Sequence, residues 1–258
     1  MKMYKSSHGK FLDKLDKRAE RVCLAMTEAS QSQLTALWHQ LDLSSIYHDW
    51  ALEGQVVSAD ELNGAFDTRS VTDATSLPLY ETLRNHKRAI AYSREVAARQ
   101  KLVFTVELFR EFHALFASDP ESAQTGRYRK DIPLHRSYFH EICNPKLVPT
   151  NMRKLMEWLN DADEAISMHP VKWVAKFHYQ FMRIFPFIET TGKIGRTMMN
   201  MVLIRQGYLP AVIHATERQH YYEAIRQSEE DMGTLIAEAA MSSLDAAEKF
   251  LRHSALAS

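Results

Sequence analysis

The chain is expected to be mainly α-helical, because little in its sequence breaks helices and little alternates like a β-strand. Its 258 residues include only eight glycines and eight prolines, and apolar residues recur at spacings of three and four. The hydrophobic content of 45% and the charged content of 25% are typical of a globular protein. We therefore predict a succession of helices with short connections around one sizeable core.

Five helices are expected in the first half of the chain, each from a local signal. Residues 11–40 are rich in helix formers. Residues 43–53 place apolar side chains on one face before Gly54 ends the run. Three further helices are expected to begin at a capping residue or a proline. They are a helix that begins at Ser58, one from Pro78 to about residue 98, and one at 106–117 that Thr105 caps.

The middle of the chain differs, because closely spaced prolines exclude a long helix there. These prolines are Pro120, Pro133, Pro145 and Pro149. We expect a loop with one short β-hairpin around 128–140. Helices are then predicted at 150–162, 170–184 and 194–206, with two more after Thr216.

The composition excludes several classes of partner and location. Thirty-two basic and thirty-two acidic residues leave no sequence-wide positive field that would attract nucleic acid. No segment approaches the ~20 apolar residues of a membrane span, and the N-terminus lacks the apolar stretch of a signal peptide. Cys23 and Cys143 form no disulfide framework, which favours a reducing compartment. We therefore expect a cytoplasmic protein without nucleic-acid or membrane partners.

A short loop between two apolar helices is the candidate functional segment. Residues 185–196 read FPFIETTGKIGR and combine glycines, threonines and two cations, Lys193 and Arg196, at the start of a buried helix. A helix N-terminus offers unpaired N–H groups to an anion, and glycine lets the backbone approach it. The loop is thus either a phosphate cradle or a capped interhelical turn with two solvated cations. It is not a Walker P-loop, because GxxxxGK[ST] is absent.

This loop resembles the signature of the Fic (Fido-domain) family, HPFx[DE]GNGRxxR, in which five positions match and one changes conservatively. Five other segments resemble Fic segments in the proper order: WALEG, GRYR, HYQFMRI, RTMMNMVLIRQGYLP and ERQHYYEAI. The resemblance covers roughly residues 35–250. It implies a Fic-type helical bundle over 41–258, with a β-hairpin flap at 126–142 and an N-terminal helical extension at 1–40.

The resemblance also implies a chemistry and a set of site residues. In active Fic enzymes the signature histidine takes the proton from a target hydroxyl, which attacks the α-phosphate of ATP, so that AMP is transferred to a protein docked at the flap. When these roles are transferred to the aligned positions of this chain, Glu189 would hold Mg²⁺ and Phe185 stands at the position of the histidine. The nucleotide contacts would come from Thr190, Thr191, Gly192, Lys193, Gly195, Arg196 and Asn200.

Phe185 leaves two functional hypotheses open, since phenylalanine has no proton-accepting atom and a positioned base contributes ~10²–10⁴-fold. The chain is either a nucleotide-binding protein that has lost histidine-dependent AMP transfer, or an active enzyme in which substrate, water or a flap residue supplies the base. His135 and His140 are the flap candidates. His178, two turns before Phe185, is interpreted as a structural core histidine. An HxxxxHxxC set with Cys143 lacks a fourth metal ligand.

A polar stripe at 43–54 suggests regulation. Ser45, Asp49 and Glu53 recur every four residues, which is otherwise typical of a solvated helix face. One class of Fic proteins carries an inhibitory helix with the motif [ST]xxxE[GN], and here Glu53-Gly54 matches while Asp49 replaces the serine or threonine. The resemblance implies an ion pair between Glu53 and Arg196 that prevents productive placement of the γ-phosphate.

Overall fold

The computed structural model describes residues 2–67, 74–117, 125–133 and 140–256. Within these ranges the chain forms eleven α-helices and no strand, which confirms the mainly α class. The helices are α1 Lys2–Glu28, α2 Gln31–Leu52, α3 Ala59–Phe66, α4 Leu77–Ala97, α5 Val106–Phe116, α6 Val148–Leu159, α7 Ala162–Ser167, α8 Pro170–Ile184, α9 Thr191–Arg205, α10 Arg218–Gln227 and α11 Glu229–Leu256. No helix in these ranges combines the length and the apolar character that crossing a bilayer requires.

Several helix ends coincide with the predicted capping signals. Ser58 begins α3 with a capping box, in which its side chain accepts from the Glu61 N–H while Glu61 accepts from the Ser58 backbone. The side chain of Thr105 accepts from the backbone N–H of Leu108 at the start of α5. Proline opens α8 at Pro170, as expected. Local sequence chemistry therefore accounts for these starts.

The predicted break between residues 40 and 43 is wrong. Helix α2 runs without interruption from Gln31 to Leu52, and the break lies earlier, at Ser30, which forms a capping box with Gln33. No glycine or proline interrupts residues 31–52, so the helix continues once it has begun. The expected boundary of the extension at 40/41 consequently falls inside α2.

The helices share one principal core centred on α8 and α9, which pack against each other. Helix α11 packs on α8, and α4 packs on α9. Helix α1 lies on α11 and contributes buried side chains to the same core, namely Leu12, Leu15, Ala19 and Val22. A smaller cluster, which includes Ile46 and Trp50, joins α2 to α3 and α4. This arrangement sets the C-terminal end of α2 beside the start of α9.

The predicted flap is described only in part, because its tip, 134–139 with His135, lies outside the described residues. The flanking residues 125–133 and 140–144 form no strand. They run beside the loop after α8: the Arg129 N–H donates to the Pro186 carbonyl at 2.8 Å, and the Cys143 N–H donates to the Arg183 carbonyl at 2.8 Å. The segment therefore borders the candidate site.

Candidate functional site

The loop between α8 and α9 contains two backbone outliers. Phe185 has φ 48° and Thr190 has φ 64°, and within the described ranges no other residue except glycine has positive φ. This region is uncommon for any side chain and most unusual for a bulky one. Such strain persists only where the surroundings impose it, and it is concentrated at functional sites.

Phe185 is held by its backbone and buried by its ring. Its N–H donates to the Phe181 carbonyl at 2.8 Å, and its carbonyl accepts from Nε of Arg129 at 2.6 Å. The ring is 1% exposed, and its centroid lies 6.1 Å from that of His140. The side chain at the expected position of the base is therefore part of the core.

Arg129, from the GRYR segment, fixes the conformation of this turn. Besides Phe185, its guanidinium donates to the carbonyls of Ile184 at 3.2 Å, of Asp131 at 3.1 Å and of Cys143. Four carbonyls that point towards one buried cation explain how the strained backbone is maintained. The GRYR pattern in the sequence does not by itself indicate this role of the arginine.

Three of the residues predicted to contact the nucleotide have partners within the protein. The Thr191 hydroxyl donates to the Phe187 carbonyl at 2.8 Å and accepts from the Phe187 N–H at 3.1 Å, which closes the loop. Gly195 faces α8, where a Cβ would stand 3.0 Å from the Phe181 ring. Asn200 accepts from the Ala211 N–H at 2.9 Å and lies ~13 Å along α9 from its first residue.

The remaining residues of the loop lie at the N-terminus of α9, where the helix dipole favours an anion. Glu189 is exposed at the rim. Oγ1 of Thr190 is buried and has no hydrogen-bond partner among the described residues. Gly192 presents bare backbone, and Lys193 and Arg196 are buried cations. These groups fit a bound phosphate, because they combine a free donor, open backbone and positive charge.

Arg196 is the centre of the site, and each of its three nitrogens has a different partner. Nε donates to Oδ1 of Asp49 at 2.5 Å, Nη2 donates to Oε1 of Glu53 at 2.9 Å, and Nη1 donates to the hydroxyl of Tyr221 at 3.0 Å. Burial alone would lower the pKa of Arg196, but Asp49, Tyr221 and Glu53 raise it well above its usual value. The guanidinium is therefore charged, and each of its three nitrogens has a partner.

Glu53 lies directly against the cradle. A Cβ built on Gly192 would collide with Oε1 of Glu53, so the carboxylate occupies the space that this glycine leaves open. The glutamate thus places a negative charge at the N-terminus of α9 and beside Arg196. It stands where an anionic ligand of the loop would bind.

Lys193 also turns towards α2. Its Nζ lies 4.0 Å from the centroid of the Trp50 ring and donates to Oε1 of Gln55 at 3.1 Å. Burial lowers the pKa of Lys193 to about 8, although Glu53 and Asp49 partly oppose this effect. Both cations of the loop consequently contact the end of α2 or the three residues that follow it.

Helix α10 clamps the end of α2 from the other side. The Leu52 carbonyl accepts from Nε of Arg218 at 3.0 Å and from the Tyr222 hydroxyl at 3.2 Å. Gly54 follows with φ 82°, a conformation that glycine adopts without strain. The carbonyl groups at the C-terminus of a helix need such donors. The position of Glu53 is therefore fixed by the fold on both sides.

The histidines near the loop differ in their surroundings. His178 is fully buried with Nε2 2.9 Å from the Tyr221 hydroxyl, and burial and the Arg196 charge lower its pKa to about 3. This placement supports its interpretation as a structural residue. His140 is not a surface histidine: it is 3% exposed, and its Nε2 donates to the Met182 carbonyl at 2.9 Å.

The loop lies within the part of the chain that matches a known protein family. Residues 103–203 match the sequence profile described as the Fic/DOC family. Over 212 residues, 82% of the chain, it is 26% identical to "Protein adenylyltransferase Fic" of Drosophila willistoni, and it is 27% identical to the protein of that name from Drosophila persimilis. The chain spans only about two fifths of the length of these curated relatives, 42% and 41% respectively.

Solved structures show the same fold. A Fic domain-containing signaling protein from Bacteroides thetaiotaomicron superimposes with a TM-score of 0.79 at 21% identity, over 94% of this chain and 98% of that one. Fic-1 from C. elegans gives a TM-score of 0.80 at 17% identity, over 97% of this chain and 74% of that one. The sequence profile matches residues 103–203 to the Fic/DOC family, and the curated relatives and the fold agree with that match.

Proposed function

We propose that this chain binds the phosphates of a nucleotide at the loop 189–196, in a site that helix α2 obstructs, and that it lacks the histidine-dependent AMP transfer of its relatives. The observation that carries the proposal is the position of Glu53, whose carboxylate contacts both Gly192 and Arg196. An anion already lies at the place where the donors of the loop converge. A phosphate group has the same charge and would compete for the same donors.

Phe185 is the reason for proposing lost or altered activity. In the reaction of the family, the target oxygen attacks the α-phosphorus, pyrophosphate leaves, and the hydroxyl proton passes to the base. The Phe185 ring accepts no proton, and the residue is only 1% exposed. A metal ion such as Mg²⁺ would neutralise the phosphates when bound, and we assign the exposed carboxylate of Glu189 as its ligand.

One observation favours a second candidate function, an active enzyme with a different base. The His140 ring lies beside Phe185, at the end of the flap segment 126–142, where the family docks target proteins. In this alternative His140 takes the proton while Lys193 and Arg196 stabilise the transferred phosphate. The product would be a protein hydroxyl that carries AMP or another phosphate-containing group.

We also propose the cytoplasm as the location. The support comes from the cysteines: Cys23 and Cys143 are free thiols, as expected in a reducing compartment.

Calorimetric titration of Glu53→Gly with Mg²⁺ and ATP, GTP, UTP or CTP tests nucleotide binding. We expect one nucleotide to bind the variant at least about fivefold more tightly than the wild type, as a typical coupling of 1–3 kcal/mol implies. A matched control, Glu53→Gly with Arg196→Ala, should lose that gain. If no nucleotide binds at millimolar concentration, the nucleotide-binding proposal is wrong.

Incubation with labelled ATP and Mg²⁺ distinguishes the two candidates. The nucleotide-binding protein should transfer no label to itself or to proteins of a lysate. Labelling that disappears in both Glu189→Ala and His140→Ala would establish the active enzyme instead. His39→Ala, on the far part of α2, serves as the control for loss of a histidine elsewhere.

A further inference from the structure

Asp49 was expected only as a departure from the regulatory motif, yet it makes the shortest of the contacts given above for Arg196. We propose that Asp49 is a second regulatory carboxylate, which holds Arg196 on α2 independently of Glu53. Removal of Glu53 alone would then leave the guanidinium in place. This inference rests on the proposed nucleotide site and specifies how that site is regulated.

The two carboxylates bind different nitrogens of Arg196 and do not compete. Asp49 accepts from Nε of Arg196, and Glu53 accepts from Nη2. These two nitrogens form one edge of the guanidinium. A phosphate binds arginine best when two of its oxygens accept from two adjacent N–H groups. The second such edge, Nη1 with Nη2, is half occupied by Tyr221. Without Glu53, therefore, no edge offers two free nitrogens.

Asp49 is also largely buried and contacts a second helix. Its side chain is 13% exposed, and Oδ2 lies 3.3 Å from Nε2 of His86, a buried residue of α4. Burial would raise the pKa of Asp49, but Arg196 and His86 outweigh this effect and lower it. The carboxylate is thus ionised and oriented by α4 as well as by Arg196.

The charges around α9 are balanced only when both acids are present. Asp49 and Glu53 face Lys193 and Arg196, which gives two negative and two positive groups with little solvent. Loss of one acid leaves a surplus of one positive charge, and loss of both leaves two buried cations without a carboxylate. Buried charges without partners are strongly unfavourable, so the doubly substituted site would gain most from an added polyanion.

The test compares the wild type, Glu53→Gly, Asp49→Ser and the double variant in titrations with Mg²⁺-ATP and with tripolyphosphate. We expect Glu53→Gly to raise affinity at least about fivefold, Asp49→Ser to raise it less than about threefold, and the double change to exceed the product of the two by at least tenfold, as coupled neighbours do. The milder pair Asp49→Asn and Glu53→Gln is measured in parallel in case the double variant is poorly folded. Equal affinity of Glu53→Gly and the double variant would overturn the inference.

Hydrogen exchange without any ligand separates this inference from the nucleotide proposal. Amides of residues 49–54 should stay protected in Glu53→Gly and open at least tenfold faster in the double variant. Faster exchange of these amides in Glu53→Gly alone would show that Asp49 does not hold the end of α2 in place. If exchange follows the expected pattern but neither polyanion binds, Asp49 still holds α2 and the nucleotide site is refuted. Asp42→Asn, an acid on α2 that pairs with Arg94, is the control and should change neither readout.

Discussion

Glu53 and Gly192 lie in contact, with Oε1 of the glutamate in the space that a side chain at residue 192 would fill. This contact joins the end of α2 to the first turn of α9. It makes the position of Glu53 dependent on a glycine 139 positions later in the chain.

Gly192→Ala is expected to expel the Glu53 carboxylate. Overpacking should lower the free energy of unfolding by about 1–3 kcal/mol, as measured by urea denaturation. In a Glu53→Gly background the collision with Glu53 is absent and only the close approach to Nη1 of the flexible Arg196 side chain, 3.0 Å from the added Cβ, remains, while alanine is favoured over glycine within a helix by roughly 0.5–1 kcal/mol. The loss should therefore vanish or change sign. An equal loss in both backgrounds would contradict the contact.

Phe185→His is expected to restore a base if the rest of the cradle is intact. Histidine tolerates positive φ better than most residues, so the turn at φ 48° should accept it. Combined with Glu53→Gly and Asp49→Ser, the change should raise transfer of labelled AMP by ~10²–10⁴-fold over the same protein with Phe185. Phe185→Leu in that background is the matched control. If the variant binds ATP but transfers no AMP, then Thr190, Thr191 or Lys193 has changed the ligand that the loop accepts for transfer.

Lys193 should impose a pH dependence on stability. Burial lowers its pKa to about 8 from the usual 10.5, so between these values the unfolded chain binds more protons than the folded protein. The free-energy cost of burying the charged Lys193 side chain has its full value below pH 8 and decreases as the pH rises towards 10.5. Relative to Lys193→Met, the wild type should gain up to about 3 kcal/mol of unfolding free energy across this window. Parallel curves for the two proteins would refute the shift.

Arg129 is expected to be essential for the turn at Phe185. Arg129→Lys keeps the charge but cannot donate to four separate carbonyls, so unfolding free energy should fall by about 2–4 kcal/mol. Arg127→Lys, at an exposed neighbour in the same segment, should change stability by less than about 0.5 kcal/mol. Urea denaturation measures both. Similar losses for the two variants would show that Arg129 has no special role.

Much of the helical pattern could be predicted because its signals are local. Ser58, Thr105 and Pro170 act within one turn of their own positions, and the helices begin where these residues indicate. The early break was misplaced because the capping box of Ser30 was overlooked. The short helix α7 was also missed, although Asp161 accepts from the N–H groups of its first turn.

The sequence by itself determined the helical class, the family and the loop from Phe185 to Arg196. These follow from residues close together in the chain, where spacing and order are sufficient. Only the tertiary structure decided that Asp49 and Tyr221 share Arg196 with Glu53, and that the Thr191 hydroxyl closes the loop through the Phe187 backbone. Such assignments depend on distances between groups as many as 147 residues apart, which packing sets and sequence spacing does not.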